Sequence, residues 1–293
     1  MELELRNINH KYGDFTALRD VNITFTPGVY ALLGPNGAGK STMMNLITEI
    51  ISPTEGEILL DGSPIKKLGK EYRKKLSYMP QQQGLYEKFT ASRFLDYIAA
   101  LKGISSKNAR AEIKRVLELV NLSEKKDVYI GELSGGMKQR LLIAQAMLDD
   151  PEIIILDEPT AGLDPKERIR IRNIISQISV EKIVIFATHV VSDIESLAKQ
   201  VVFLKRGQIV REIKGPRELC SEIEGRVFEI KIKEDDLADI RKISLISNIS
   251  ESRDFLEIRA IFKDKSTIES TNREIKKVFP NLEDLYLYLF END

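Results

Sequence analysis

Cysteine and histidine are scarce in this chain of 293 residues: it has one cysteine, Cys220, and two histidines, His10 and His189. A lone cysteine excludes an intrachain disulfide and any cysteine-cluster metal site, and two histidines leave little material for a histidine-built one. Cysteine usage this low leans towards a reducing compartment. Long apolar runs are also missing. No stretch reaches the roughly 18 consecutive apolar residues that a membrane-spanning helix needs, and runs such as Ile153-Ile154-Ile155-Leu156 stop after the length of one strand. The opening Met1-Glu2-Leu3-Glu4-Leu5-Arg6 alternates apolar and charged residues, so it has neither the basic start nor the apolar block of a secretory signal. An excess of one charge is missing too. Lys plus Arg is 44 and Asp plus Glu is 45, a formal net charge of −1, which excludes a globally basic, purely electrostatic nucleic-acid binder. The expectation is a soluble, cytoplasmic protein that reaches a membrane only through a partner.

What is present is globular patterning. With 42% hydrophobic and 30% charged residues the chain can bury a core, and its length suggests about two domains. Leu3 and Leu5 alternate with Glu2, Glu4 and Arg6, and Val21, Ile23 and Phe25 alternate with Asn22, Thr24 and Thr26. Both have the period of a half-buried sheet. Val29-Tyr30-Ala31-Leu32-Leu33 is an apolar run leading straight into a glycine-rich segment. From about residue 85 the period changes. Phe94, Tyr97, Ile98 and Leu101 fall at helical spacing, as do Ile113, Val116, Leu117 and Val120, so a helical insertion starts here and extends over about 85–150. Strand-like apolar runs return at 153–156, 183–187 and 201–204, as expected of parallel strands buried on both faces. A boundary is placed at Gly215-Pro216, giving domains 1–215 and 216–293. The second reads as a small α/β unit ending in a helix capped by Asn281.

Residues 34–42 read Gly34-Pro35-Asn36-Gly37-Ala38-Gly39-Lys40-Ser41-Thr42, which matches G-x-x-x-x-G-K-[ST] after an apolar strand. Glycines let the backbone curl so that successive N–H groups face an anion, and a helix starting near Lys40 adds its positive end. Lys40 supplies a mobile cation for the β- and γ-phosphates, and Ser41 offers a hydroxyl to Mg²⁺. The alternative is an ordinary glycine-rich turn before a helix, and the strand placed directly before the loop favours the phosphate reading. Downstream, Ile153-Ile154-Ile155-Leu156 runs into Asp157-Glu158. Asp157 ends a strand, where ligands bind in doubly wound sheets, and is suited to holding Mg²⁺. One carboxylate of the pair can serve the metal while the other orients or deprotonates the attacking water.

Between these two sites lies Leu133-Ser134-Gly135-Gly136-Met137-Lys138-Gln139-Arg140. Ser134 is placed to cap a helix whose apolar face includes Met137, Leu141 and Leu148. Its start would expose N–H groups and a positive end, a second anion site. This segment resembles the signature motif of ATP-binding cassette (ABC) ATPases, and the resemblance covers about residues 2–215. It implies a P-loop NTPase (RecA-like) α/β core with an N-terminal antiparallel β subdomain, a helical signature subdomain and, here, a small C-terminal α/β domain. It also implies that two copies pair head to tail, so that Leu133 to Met137 of one closes on the nucleotide held by the phosphate loop of the other.

The resemblance assigns the remaining positions one at a time. Tyr12 matches the aromatic that stacks on adenine. Gln81, in Pro80-Gln81-Gln82-Gln83, matches the loop glutamine that touches Mg²⁺ and water, although three glutamines in a row leave the register open. Asp164, in Ala161-Gly162-Leu163-Asp164, matches the loop that crosses the dimer interface. His189, after Thr188, matches the switch histidine at the γ-phosphate. Glu158 is the base, and Ser41, Gln81 and Asp157 are the metal's protein partners. Every motif appears in the family's order.

The function implied is an ATPase that uses ATP and Mg²⁺. It would work as a homodimer, or as a heterodimer with another cassette, to drive a separate transmembrane permease from the cytoplasmic face of the membrane. The tail Phe279-Pro280-Asn281-Leu282-Glu283-Asp284-Leu285 resembles those of bacterial exporter subunits, so export is the expected direction. The competing reading is a soluble ABC ATPase in nucleic-acid metabolism or translation. The chain has no long heptad run, no zinc cysteines and no second cassette, and direct nucleic-acid contact is not expected. A nucleotide-sensing module inside a heterodimer is a third reading, which the intact Glu158 and His189 oppose.

Overall fold

Alternation and continuous apolar runs build two different sheets in the first part of the chain. The structure is a computed structural model that describes residues 1–81, 84–188, 190–211, 214–252, 255–262 and 275–291. The chain divides into two units, Met1–Ile213 and Lys214–Asp293.

Within the first unit the strands are β1 (Leu3–Tyr12), β2 (Phe15–Phe25), β3 (Gly28–Leu33), β4 (Glu55–Leu60), β5 (Ser63–Pro64), β6 (Leu76–Met79), β7 (Ile153–Asp157), β8 (Ile183–Ala187), β9 (Gln200–Lys205) and β10 (Gln208–Ile209). One sheet has the order β2-β1-β4-β5 and its pairings are antiparallel. Its strands alternate, with Leu3 and Leu5 buried while Arg6 and Asn7 are exposed, because one face meets the core and the other meets water. The other sheet has the order β10-β9-β3-β8-β7-β6. From β9 to β6 its pairings are parallel. All of β8 and the first four residues of β7 are buried, as strands covered on both faces must be. Leu3, Phe25, Tyr30, Met43, Met44, Ile155 and Ile185 share one core. Tyr72 is fully buried in it, and its hydroxyl donates to the Ile47 carbonyl at 2.6 Å, closing the end of the helix Lys40–Ile47.

The helical segment contains Ala91–Leu101, Ser106–Leu119 and Gly135–Ala146. The apolar stripe expected on the first of these is only partly covered. Phe94 is 1% exposed, but Tyr97 is 40% and Leu101 67% exposed. The signature helix also ends sooner than its apolar pattern suggests. Leu148 is buried but lies past Ala146, where Asp149 and Asp150 take left-handed backbone conformations and stop the helix.

The second unit has β11 (Val227–Ile232), β12 (Ser244–Glu251), β13 (Leu256–Phe262) and β14 (Ile275–Lys277), paired antiparallel in the order β12-β13-β11-β14. Its last helix, Leu282–Phe290, starts with a reciprocal capping box between Asn281 and Asp284. Asp284 is fully buried. It accepts from Arg259 Nη2 at 2.8 Å and from the Ser247 hydroxyl at 2.6 Å, so a buried charge is paired and hydrogen-bonded as it must be.

Candidate nucleotide site

Strand order decides what can meet. Because β3, β8, β7 and β6 are parallel neighbours, their carboxyl ends lie along one edge of the sheet. Leu32 is level with Ala187, and Ala187 is level with Asp157; Met79 is level with Leu156. The 34–39 loop, Thr188, Asp157-Glu158 and Pro80-Gln81 therefore emerge side by side. This is the crevice where open α/β sheets bind ligands.

The loop's glycines have different jobs. A Cβ on Gly34 would stand 2.1 Å from the Leu204 carbonyl oxygen, so only glycine lets the loop leave β3 against β9. Gly39 has φ +108°, and a Cβ there would stand 2.7 Å from Leu18 Cδ2. Gly39 is the residue before the helix Lys40–Ile47, whose first turn has no side-chain cap, so its N–H groups remain available to an anion. The Gly207 N–H donates to the Ala38 carbonyl at 3.0 Å and pins the loop from below. Asn36, Gly37 and Ser41 are exposed, Pro35 is half-buried and Thr42 is buried.

Lys40 folds back over the loop, donating to the carbonyls of Gly34 at 2.6 Å and Pro35 at 3.0 Å. Burial pushes its ammonium below the ordinary lysine range, against the pull of Glu158 and Asp157. Burial likewise raises the Asp157 carboxyl, Glu158 adds to the rise and Lys40 opposes it. One cation and two acids thus share a partly dehydrated edge. Glu158 sits in the left-handed region at φ +53°, unusual for a non-glycine residue. Its N–H donates to the Ala187 carbonyl at 2.9 Å, which holds this turn against β8.

The donor set fits Mg²⁺. The Ser41 hydroxyl and Asp157 carboxylate are hard oxygen donors. That suits an ion held by one carboxylate and substrate phosphates. Such an ion would neutralise phosphate charge there, held by Ser41 and Asp157.

Tyr12 ends β1 and is 47% exposed, with its ring edge-to-face with His10 at 4.7 Å. Gln81 is exposed just past β6. His189 lies outside the described residues, as do Gln82 and Gln83. Ser134 caps Gly135–Ala146, accepting from the Met137 N–H at 3.3 Å. Ser134 and Gly135 are exposed, Leu133 is buried and Met137 is half-buried. A Cβ on Gly136 would fall 2.5 Å from Glu167 Cγ, so this glycine makes room for Glu167. Asp164 caps Pro165–Ile178 through the Glu167 N–H at 3.0 Å. The structure therefore joins the signature helix to the Asp164 turn and does not bring either onto the loop of their own chain through any described polar contact.

Two anchors of this region were not read from the sequence. Arg140 Nε stands 3.2 Å from Glu167, and the Thr160 hydroxyl donates to the buried Asp193 at 2.6 Å. The spacing Asp164-Pro165-Lys166-Glu167 signals a helix start, but nothing local says where Glu167 turns next.

Known proteins carry the same architecture. The ABC transporter family model matches residues 18–161. The ABC transporter ATP-binding protein YxlF of Bacillus subtilis is 38% identical over 79% of this chain and 77% of its own. The Nod factor export ATP-binding protein I of Burkholderia lata is 32% identical over 98% of this chain and 96% of its own. Among solved structures, a bacterial ABC transporter cassette seen as a dimer, and again as a dimer in a post-hydrolysis state with ADP and Pi, is 29% identical. It matches with TM-scores of 0.64 and 0.63 over 72% of this chain and 98% of that one. The chain belongs to the ATP-binding cassette family as an ATPase, the ATP-binding subunit of an ABC transporter.

Proposed function

We propose that two cassettes bind MgATP between them, the phosphate loop of one facing the Ser134 helix end of the other. Hydrolysis then drives export through a separately encoded membrane subunit at the cytoplasmic face. The observation that carries this reading is the exposed start of Gly135–Ala146. Ser134 and Gly135 present a helix N-terminus to solvent, and the same helix is anchored by Arg140 to Glu167 and to the carbonyls of Val120 and Asn121 and by Lys138 to Glu87. In this reading the phosphate facing that helix end belongs to the nucleotide on the second cassette's loop. The relative solved as a dimer supports the pairing, and the Nod factor export relative supports the direction.

In this reading Tyr12 stacks on the base. The N–H groups of 34–42 hold the phosphates, and Lys40 leaves the Gly34 and Pro35 carbonyls for the stronger phosphate acceptors. Glu158 takes the proton of a water as its oxygen bonds to the γ-phosphorus and the bond to the β-phosphate oxygen breaks, giving ADP and phosphate. Gln81 positions that water, His189 contacts the γ-phosphate, and Ser41, Gln81 and Asp157 hold Mg²⁺. Asp164 lines the seam between the copies. Residues 1–215 form the motor and 216–293 an accessory domain.

The membrane subunit docks on the helical segment. Tyr86 stacks on Phe89 at 5.2 Å, Tyr97 meets both rings edge-on, and Arg93 lies over Phe89 at 4.6 Å. Tyr86 and Tyr97 are 50% and 40% exposed, an aromatic surface of the kind that anchors interfaces. The test is affinity purification of the tagged chain from detergent-solubilised membranes. A polytopic membrane protein is expected with wild type and lost with Tyr86→Asp/Phe89→Asp, which keeps basal hydrolysis. Recovery of ribosomes or nucleic acid instead would overturn the reading in favour of a soluble ATPase.

A further inference from the structure

A second cavity lies away from the nucleotide edge, and none of the assigned roles uses it. It holds about 430 Å³ beyond the end of the helix Lys40–Ile47, between β4, β5 and the short helices Ile65–Leu68 and Lys70–Lys75. Leu46, Ile51, Pro53 and Ile65 give it apolar walls, and Lys66, Lys67 and Arg73 stand at its rim. Its two acids are already engaged: Glu49 by Arg73 at 3.1 Å and Glu57 by Arg6 at 3.6 Å. Lys66, Lys67 and the neighbouring Lys70 are exposed. Among the described residues none of the three has an ion-pair or hydrogen-bond partner. The run Lys66 to Lys75 carries Lys66, Lys67, Lys70, Arg73, Lys74 and Lys75 against one acid, Glu71. A chain with a net charge of −1 thus concentrates positive charge beside an apolar hollow.

We propose that this surface docks on the membrane itself, with the phosphate of an anionic phospholipid held by Lys66, Lys67 and Lys70 and acyl-chain carbons lodged against Ile51, Pro53 and Ile65. Charge complementarity selects the occupant. Clustered lysines attract an anionic leaflet at about 1 kcal/mol each, which is roughly fivefold per lysine in partition. The apolar walls add contact that free phosphate cannot use, and offer it no donors. A nucleic acid would find no base-stacking surface here, because the one aromatic of the run, Tyr72, is fully buried. The proposal takes its physiological setting from the membrane placement above. The measurement uses protein-free vesicles, so its failure and the failure of permease docking are separate results.

The full-length chain is sedimented with vesicles of phosphatidylcholine alone and of phosphatidylcholine containing phosphatidylglycerol. Wild type is expected to bind only the anionic vesicles and to be released by high salt. Lys66→Gln/Lys67→Gln/Lys70→Gln is expected to lose roughly 100-fold in partition while hydrolysing ATP like wild type. Lys107→Gln/Lys125→Gln/Lys166→Gln, the same charge change at other exposed sites, is expected to lose little. Ser52→Glu sets a carboxylate in the cavity and leaves all three lysines, and should lower partition severalfold. Inorganic phosphate at constant ionic strength should not compete. Equal partition of wild type and the first triple variant, equal losses in the two triple variants, an unchanged Ser52→Glu, or full competition by phosphate would each overturn the proposal.

Discussion

Arg140 and Glu167 tie the signature helix to the helix behind the Asp164 turn: Nε lies 3.2 Å from a carboxylate oxygen, with the side chains 5% and 12% exposed. Arg140 also donates to the carbonyls of Val120 and Asn121 at 2.8 and 2.9 Å, and Arg170 reaches the other oxygen of Glu167. Buried charge of this kind is costly to break from one side. The pair links the helix that Ser134 caps to the helix that Asp164 caps through side chains.

Glu167→Ala strands the Arg140 guanidinium. It should cost about 3 kcal/mol, less than the full penalty of an orphaned buried charge in so far as Val120 and Asn121 still accept from it. Glu167→Gln keeps one acceptor and should cost less. Urea unfolding followed by circular dichroism reads both, and an unshifted midpoint in Glu167→Ala would show that the pair holds nothing.

Lys40→Ala separates binding from folding. Burial already disfavours the Lys40 ammonium in the nucleotide-free protein, so its removal should leave the melting temperature without ATP unchanged or slightly higher. The stabilisation that MgATP gives wild type, ~3–4 kcal/mol at several hundred times Kd and read as a raised melting temperature, should disappear. Hydrolysis should fall with it. A variant whose melting still responds fully to MgATP would mean that the 34–42 loop is not the phosphate site.

Asp157 and Glu158 should fail in different ways. Glu158→Gln keeps the shape and removes the base, so ATP still binds while hydrolysis falls by ~10²-fold or more. With MgATP the trapped nucleotide should hold two chains together on size exclusion. Asp157→Asn should lose hydrolysis but recover part of it at raised Mg²⁺. It should also stabilise the nucleotide-free protein. The folded Asp157 carboxyl titrates above its usual value because of burial. Its contribution is therefore present below the unfolded pKa and lost as pH rises through the folded one. At pH 7 the neutral amide avoids that loss, and the melting temperature should rise. The gap between variant and wild type should close as the pH falls towards ~4. An equal gap at both pH values would exclude burial of the Asp157 charge as the cause.

The sheets and the turn from β3 into the helix Lys40–Ile47 were legible because their signals are local. Alternation in β1 and β2, the apolar runs of β7 and β8, and the 34–42 spacing each need only neighbouring residues. The register that sets Asp157 level with Ala187 and Leu32 needs strand order, which the chain encodes only through long-range packing. The left-handed turn at Glu158 depends on the Ala187 carbonyl across the sheet, and the Arg140–Glu167 pair joins residues on separate helices. The exposed Tyr97 and Leu101 sit on an apolar stripe that periodicity alone would bury. Periodicity reports a face and cannot say whether this chain or another covers it.

If Ser134 acts on the nucleotide of a second copy, a defect in one chain must appear in its neighbour's site. A Ser134→Arg chain places a bulky cation at the helix end, and a Lys40→Ala chain has a crippled loop; each alone should be nearly inactive as a homodimer. In the mixed dimer both defects fall on one composite site, because the Lys40→Ala loop faces the Ser134→Arg helix. The other site pairs an intact loop with an intact helix end. Mixing should restore hydrolysis above the sum of the separate proteins, up to about half the wild-type rate per hybrid if a single site turns over alone. Two differently tagged chains, purified in tandem in the presence of MgATP, show that the hybrid exists before its rate is measured. Recovery requires a site built from two chains. A hybrid that forms and stays inactive would point to a site within one chain, or to two sites that hydrolyse only together. Single-turnover binding of a fluorescent ATP analogue distinguishes these, since strict coupling leaves one tight site per hybrid and an intrachain site leaves none complete.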